Sequence, residues 1–134
     1  MSENMDLVRS IFANWKRGDF SSTVWAHPTI EWAMADGAAP GRWTGLAGMT
    51  EGWRRFRGVW AEYHFEPQEY RELDSERVLV LGRFTGRGKA SEPNHGQTRS
   101  EAARLLHVRD GKVTRLVLYA DRDRALADLG LADG

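Results

Sequence analysis

Arg99 and Glu101 stand two residues apart in a stretch of strand character, which puts a guanidinium and a carboxylate on one face of the chain. Such a pair could serve acid–base chemistry, and the same Arg-x-Glu spacing also describes an ordinary cross-strand ion pair, worth little at a surface. His27, His64, His95 and His107 lie far apart, with neither His-x-His nor i, i+4 spacing, so no metal site is expected. His107 falls in a strand and reads either as a hydrogen-bonded structural histidine or as a titrating group. The absence of cysteine excludes a thiol nucleophile, a disulfide frame and a cysteine zinc site. Gly86-Arg87-Gly88-Lys89 has no helix after it and no Ser or Thr after the Lys, so it lacks the context for cradling phosphate. The serines lack nucleophile-elbow surroundings. No cofactor is expected.

Six tryptophans are a high load for 134 residues. Trp15, Trp53 and Trp60 fit helical core faces. Aromatic walls with a few polar groups suit a flat, hydrophobic small molecule.

Nineteen basic and nineteen acidic side chains cancel, and most basic residues have acidic neighbours. A nucleic-acid surface would show a uniform basic face, so no nucleic-acid partner is expected. The first residues are polar and acidic, without the apolar core of a signal, and no run approaches the roughly 20 apolar residues that cross a bilayer. The expectation is a soluble, cytoplasmic protein with no membrane partner, built as one domain over residues 1–134.

The elements that would position these groups follow from periodicity. Leu7, Val8, Ile11, Phe12 and Trp15 make a helical face ending near Gly18. Asp19-Phe20-Ser21-Ser22 offers capping chemistry for a second short helix carrying Val24 and Trp25, stopped by His27-Pro28. Thr29 to Ala33 reads as a strand and Asp36 to Gly41 as loop. Leu46, Met49, Trp53, Phe56 and Trp60 predict a third helix, in which Gly52 costs on the order of 1 kcal/mol against Ala and must be offset by packing. Tyr63, Phe65 and Tyr70 lie in a strand broken near Pro67, with a turn at Asp74-Ser75-Glu76. The apolar run Val78 to Leu81 fits a strand covered on both faces. Gly86 to Gln97 reads as an exposed hairpin loop, a possible lid. Ala102 to Val108 and Val113 to Tyr119 flank Asp110-Gly111 as a closing hairpin, and Asp123 to Leu129 forms an amphipathic tail. Helices first and a meander after them give an α+β domain.

That order, with Gly18-Asp19, His27-Pro28-Thr29-Ile30-Glu31-Trp32, Trp43-Thr44-Gly45, Arg77 to Arg83, Asp110-Gly111-Lys112-Val113 and Tyr119-Ala120-Asp121-Arg122, resembles the SnoaL-like branch of the NTF2-like superfamily, which includes the ketosteroid isomerases. The resemblance covers essentially the whole chain. It implies a cone-shaped α+β barrel, three N-terminal helices packed on a strongly curved mixed sheet, a hydrophobic pocket, and a homodimer through the outer sheet face.

The family's catalytic groups do not carry over. The position matching the isomerase Tyr is Ile11, and Trp32 stands where the Asp base would be, with Glu31 turned to the opposite face. Counting back from the turn, Arg104 falls near the place of the protonated Asp, and of a His common in SnoaL-like relatives. A carboxylate position of the epoxide-hydrolysing relatives falls on Leu118. The single late acid of the polyketide cyclases matches Asp121, which as Asp-Arg-Asp before a helix is also capping chemistry. The resemblance thus leaves Arg104, Asp121 and Glu101 as catalytic candidates. Trp25, Trp32, Trp43, Tyr63 and Leu118 remain as ligand contacts. Arg104 inside a pocket needs an anionic partner: Glu31, Glu101, or a ligand carboxylate or enolate. Two functions remain open. One is an isomerase- or cyclase-type enzyme acting on a hydrophobic, carbonyl-bearing metabolite. The other is a non-catalytic dimeric ligand-binding or interaction module.

Overall fold

The computed structural model describes residues 3–17, 19, 24–36, 40–88 and 97–131. The elements run α1 (Glu3–Lys16), β1 (Ala26–Met34), β2 (Gly41–Thr44), α2 (Gly45–Val59), β3 (Trp60–Glu72), β4 (Arg77–Gly88), β5 (Gln97–Arg109), β6 (Lys112–Tyr119) and α3 (Arg122–Asp128). Three helices therefore stand against one mixed sheet of order β2-β1-β6-β5-β4-β3, in which β1 and β6 run parallel and the other pairs antiparallel. The sheet is curled but not closed, with β2 and β3 as its free edges.

Several boundaries differ from the sequence expectation, each for a local reason. The third helix is the C-terminal α3, while the segment expected as a short second helix reaches the described residues as a turn at Val24 and Trp25. Residues 20–23 lie outside the described residues. His27-Pro28 sits inside β1, where the fixed φ of proline is compatible with extended backbone. Gly41 to Thr44, expected as loop and helix start, pairs with Glu31 to Met34 as β2. Trp60 opens β3 rather than ending α2, and β3 passes Pro67 with a register shift instead of a break. The expected loop Gly86–Gln97 is strand at both ends, and its centre, residues 89–96, lies outside the described residues. The closing hairpin forms as expected, with Asp110 at φ 52° and Gly111 at φ 76°.

Side chains alternate between two faces. Inward, Ile30, Trp32, Met34, Val78, Val80, Leu106, Leu116 and Leu118 meet Val8, Ile11 and Phe12 of α1 and Met49 of α2. Outward, Leu79, Leu81, Leu105, Val117 and Tyr119 are covered by Ala125 and Leu126 of α3. Val78 to Leu81 are at most 1% exposed because both faces are roofed. Gly52 sits where a Cβ would come within 2.3 Å of the Trp32 ring, so the glycine lets the indole lie flat on α2. Gly82 does the same for β3, since a Cβ there would meet the Glu66 carbonyl at 2.3 Å and the Phe65 ring at 2.8 Å. No helix of the described residues is long and apolar enough to cross a membrane.

Candidate functional site

Arg104 lies in β5 between Val80 of β4 and Leu118 of β6, on the inner face. It is 6% exposed and is the one buried charged side chain among the described residues. Its Nη1 donates to the main-chain carbonyls of Ala103 (3.1 Å) and Tyr119 (3.4 Å), and Cζ rests 4.3 Å from the centre of the Phe65 ring. These contacts hold the guanidinium in place without neutralising it. Burial pulls its pKa down to about 10, against the opposing influence of Tyr63 and Asp36.

Both protein carboxylates offered by the sequence as partners for Arg104 are committed elsewhere. Glu31 pairs with Arg42 (2.8 Å) and Arg115 (3.5 Å), and Glu101 pairs with Arg83 (3.7 Å), all from outer-face positions. The expected Arg99–Glu101 couple is thus replaced by the cross-strand Arg83–Glu101 pair, while Arg99 stands opposite Thr85. Asp36, whose charge acts on Arg104, accepts the Ala120 N–H at Oδ1 (2.6 Å).

Around Arg104 the inner face is aromatic. Tyr63 and Phe65 alternate inward from β3, and Phe65 also meets Phe12 of α1 at 5.9 Å. The Tyr63 ring is held edge-on by Phe56 (5.0 Å) and stacked with Phe84 (6.3 Å). Burial pushes the Tyr63 phenol up, against the pull of Arg57 and Arg104, so it keeps its proton at neutral pH. Trp32 is fully buried, with Trp53 at 5.0 Å, Trp43 at 5.5 Å, and Gly52 under the Cε3 edge. Its Nε1 has no hydrogen-bond partner. An orphaned buried donor costs about 1–3 kcal/mol, so the place matched to a basic carboxylate holds instead a donor without an acceptor.

The structure gathers Arg104, Leu118, Tyr63 and Trp32 on the inner face, with Trp43 beside Trp32. Trp25 packs instead on Trp15, at 5.7 Å. Glu101 and Asp121 come together elsewhere, with Arg71, Ser100 and Arg122, along an open groove of about 510 Å³ beside α3. Asp121 caps α3, its Oδ1 accepting the Asp123 N–H at 2.9 Å. The His107 Nε2 is buried without a partner, and the ring lies on the outer face near Arg77 and Arg115. Among the described residues no group of three or more His, Asp or Glu could hold a metal ion. Sequence reasoning passed over Phe65 and Asp36. The Tyr63-x-Phe65 alternation signalled the first, whereas Asp36 acts through a main-chain contact invisible to spacing.

The SnoaL-like domain family matches residues 8–116. A comparison with curated proteins finds no match. Among solved structures, an NTF2-like protein from Burkholderia xenovorans LB400 is 30% identical, with 98% of this chain and 94% of that one covered at TM-score 0.71. An NTF2-like protein of unknown function from Burkholderia pseudomallei K96243 is 21% identical over 95% and 97%, at TM-score 0.77. TerC, co-crystallised with polyporic acid, is 22% identical over 99% and 100%, at TM-score 0.73. The curled mixed sheet with α1 and α2 on its inner face is the arrangement these relatives share, and the chain belongs to the SnoaL-like domain family with an NTF2-like fold.

Proposed function

We propose that the inner face of the sheet binds a small hydrophobic molecule whose oxygen is held by Arg104. The observation that carries this reading is a guanidinium that is 6% exposed and meets no described carboxylate. A buried unpaired cation costs several kcal/mol, which a ligand oxygen would offset. The Trp32 Nε1 is a second inner-face donor, buried without an acceptor. TerC with polyporic acid is a precedent for small-molecule binding on this fold.

Thermal shift with a panel of ketones, epoxides and aromatic acids tests the reading. Wild type gains stability with at least one compound, by RT ln(1 + [L]/Kd), and Arg104→Met stays folded yet loses that gain. A mutant that unfolds instead makes Arg104 a structural residue.

Isomerase- or cyclase-type turnover on a carbonyl-bearing compound is compatible with the same site, with Arg104 stabilising developing negative charge. The missing inner-face base favours binding alone: Trp32 replaces the family's Asp, and the described acids Glu31 and Glu101 face outward. A flat pH–rate profile with no turnover across the panel leaves the binding role; a titrating limb restores the enzyme. A cytoplasmic homodimer completes the proposal. Its interface would meet a charged part of the outer face, because α3 covers the apolar part.

A further inference from the structure

Tyr119 and Ala120 share one peptide group where β6 ends and the chain turns toward α3, and two charged side chains grip that group from its two ends. Its carbonyl, on Tyr119, accepts from Nη1 of Arg104 at 3.4 Å. Its N–H, on Ala120, donates to Oδ1 of Asp36 at 2.6 Å. A cation thus stands at the negative end of a peptide dipole of about 3.5 D, and an anion at the positive end. The group is planar, so its carbonyl cannot turn without turning its N–H.

Different strands deliver the two charges. Arg104 comes from β5, one step along from the Ala103–Tyr119 pair, and the same Nη1 donates to Ala103 O at 3.1 Å. Asp36 follows the end of β1, where the Ala35 N–H donates to Leu118 O at 2.9 Å, just past the Met34–Leu118 pair. Ala120 is pinned a second time, its carbonyl accepting from Ser100 Oγ at 3.1 Å, and Asp121 then caps α3. The short bond to Asp36 polarises the peptide group and makes Tyr119 O a better acceptor. That matters because the bond from Arg104 is the longer of the two. Burial pulls the Arg104 pKa down to about 10, and Tyr63 and Asp36 oppose it, so the Asp36 charge is felt at the guanidinium.

We infer that Asp36 is a positioning residue for Arg104, holding the guanidinium in its seat through the Tyr119–Ala120 peptide group. This goes beyond the binding reading and stands whether or not a guest occupies the inner face. A cation whose direction is fixed in advance gives up little entropy when it meets an acceptor. Here a carboxylate that makes no direct bond to the guanidinium fixes that direction.

Amide hydrogen exchange, followed residue by residue by NMR, tests the clasp at Ala120. Arg104→Met removes a contact that the Ala120 amide does not itself make. Loss of a positive charge alone slows hydroxide-catalysed exchange at nearby amides, whereas a loosened peptide group speeds it, so the sign decides. Ala120 exchanges about fivefold faster in Arg104→Met and in Asp36→Ala, the size of one hydrogen bond. The double variant is no faster than the faster single one, because both open the same clasp. Arg104→Lys, which keeps the charge without the planar fork, replaces Arg104→Met if that variant does not fold. The guanidinium supplies the second readout: in Asp36→Ala the separate Nη1 and Nη2 resonances of Arg104 merge as rotation about Cζ–Nε is freed. Ala120 exchange that is unchanged or slower in the Arg104 variant overturns the inference. So does a double variant whose acceleration is the product of the two single ones, or Nη resonances as distinct in Asp36→Ala as in wild type. A speed-up shared equally by Leu79 and Val80, in the middle of β4, is a general loss of stability and overturns it as well.

Discussion

Glu101 and Arg104 are three residues apart on β5 and face opposite sides of the same sheet. On the outer side Glu101 meets Arg83 at 3.7 Å, with both side chains about half in water. On the inner side Arg104 is buried, its hydrogen bonds go to two main-chain carbonyls, and its guanidinium rests on a phenyl ring. The outer face pairs its charges, Glu31 with Arg42 and Arg115, and so does the β3–β4 turn, Glu76 with Arg109 and Asp74 with Arg77. Among the described residues the inner face buries one charge, which meets no carboxylate. Water makes the outer pairs cheap and nearly neutral to stability, whereas the inner cation is a standing cost. A ligand oxygen of the kind proposed above would offset that cost.

The largest break in this comparison comes from removing inner packing. Trp32→Ala empties an indole-sized space under α2 and should lower stability by about 3–5 kcal/mol in urea unfolding. A loss below about 1 kcal/mol would mean that Trp32 lies at the edge of the core, contrary to its full burial against Gly52, Trp43 and Trp53.

What the sequence revealed divides along the same line. The α1 stripe of Val8, Ile11 and Phe12, the doubly buried Val78 to Leu81 and the Asp110-Gly111 turn were legible, because periodicity and positive φ are local properties. Strand β2 was not. Gly41 to Thr44 becomes a strand only because Glu31 to Met34 offers its edge, a tertiary cause that overrides weak local preference. Register decides sites in the same way. Placing Arg104 inward and Glu101 outward follows from strand parity once the turn is fixed, so Arg104 was readable by counting. The partner of Glu101 was not: Arg99 is near in sequence, but Arg83 is near across the β4–β5 ladder. The cation–aromatic seat of Arg104 on Phe65 joins strands that are not even neighbours in the sheet.

A smaller effect sharpens the outer half of the comparison. His107 lies on the outer face, and burial, reinforced by Arg115 and Arg77, lowers its pKa below the ordinary 6.5, with Asp74 and Glu76 opposing. The folded protein therefore resists protonating this ring while the unfolded chain accepts the proton near 6.5. With more protons bound in the unfolded state, stability falls as pH drops below that value, and levels off once the folded ring also protonates. His107→Gln should flatten the melting temperature against pH between about 7 and 5 relative to wild type. Solvent screening at a half-buried site keeps the change to a fraction of the Trp32 effect. An unaltered slope would move the acid sensitivity to other groups.

The smallest expected effect is the most exacting test of the division between faces. Arg83 and Glu101 form one long, half-exposed contact, so a double-mutant cycle with Arg83→Gln and Glu101→Gln should give a coupling of about 0.5 kcal/mol or less, fading in salt. Because Glu101 faces the groove it shares with Asp121 and Arg122, and not Arg104, Glu101→Gln should also leave the thermal shift by the stabilising panel compound unchanged. A clear loss of that shift in the variant would carry the ligand round the end of β5 into the outer groove. The two faces would then be one site, and Glu101 and Asp121 would regain the candidacy that the Arg-x-Glu spacing gave the first and the polyketide-cyclase resemblance the second.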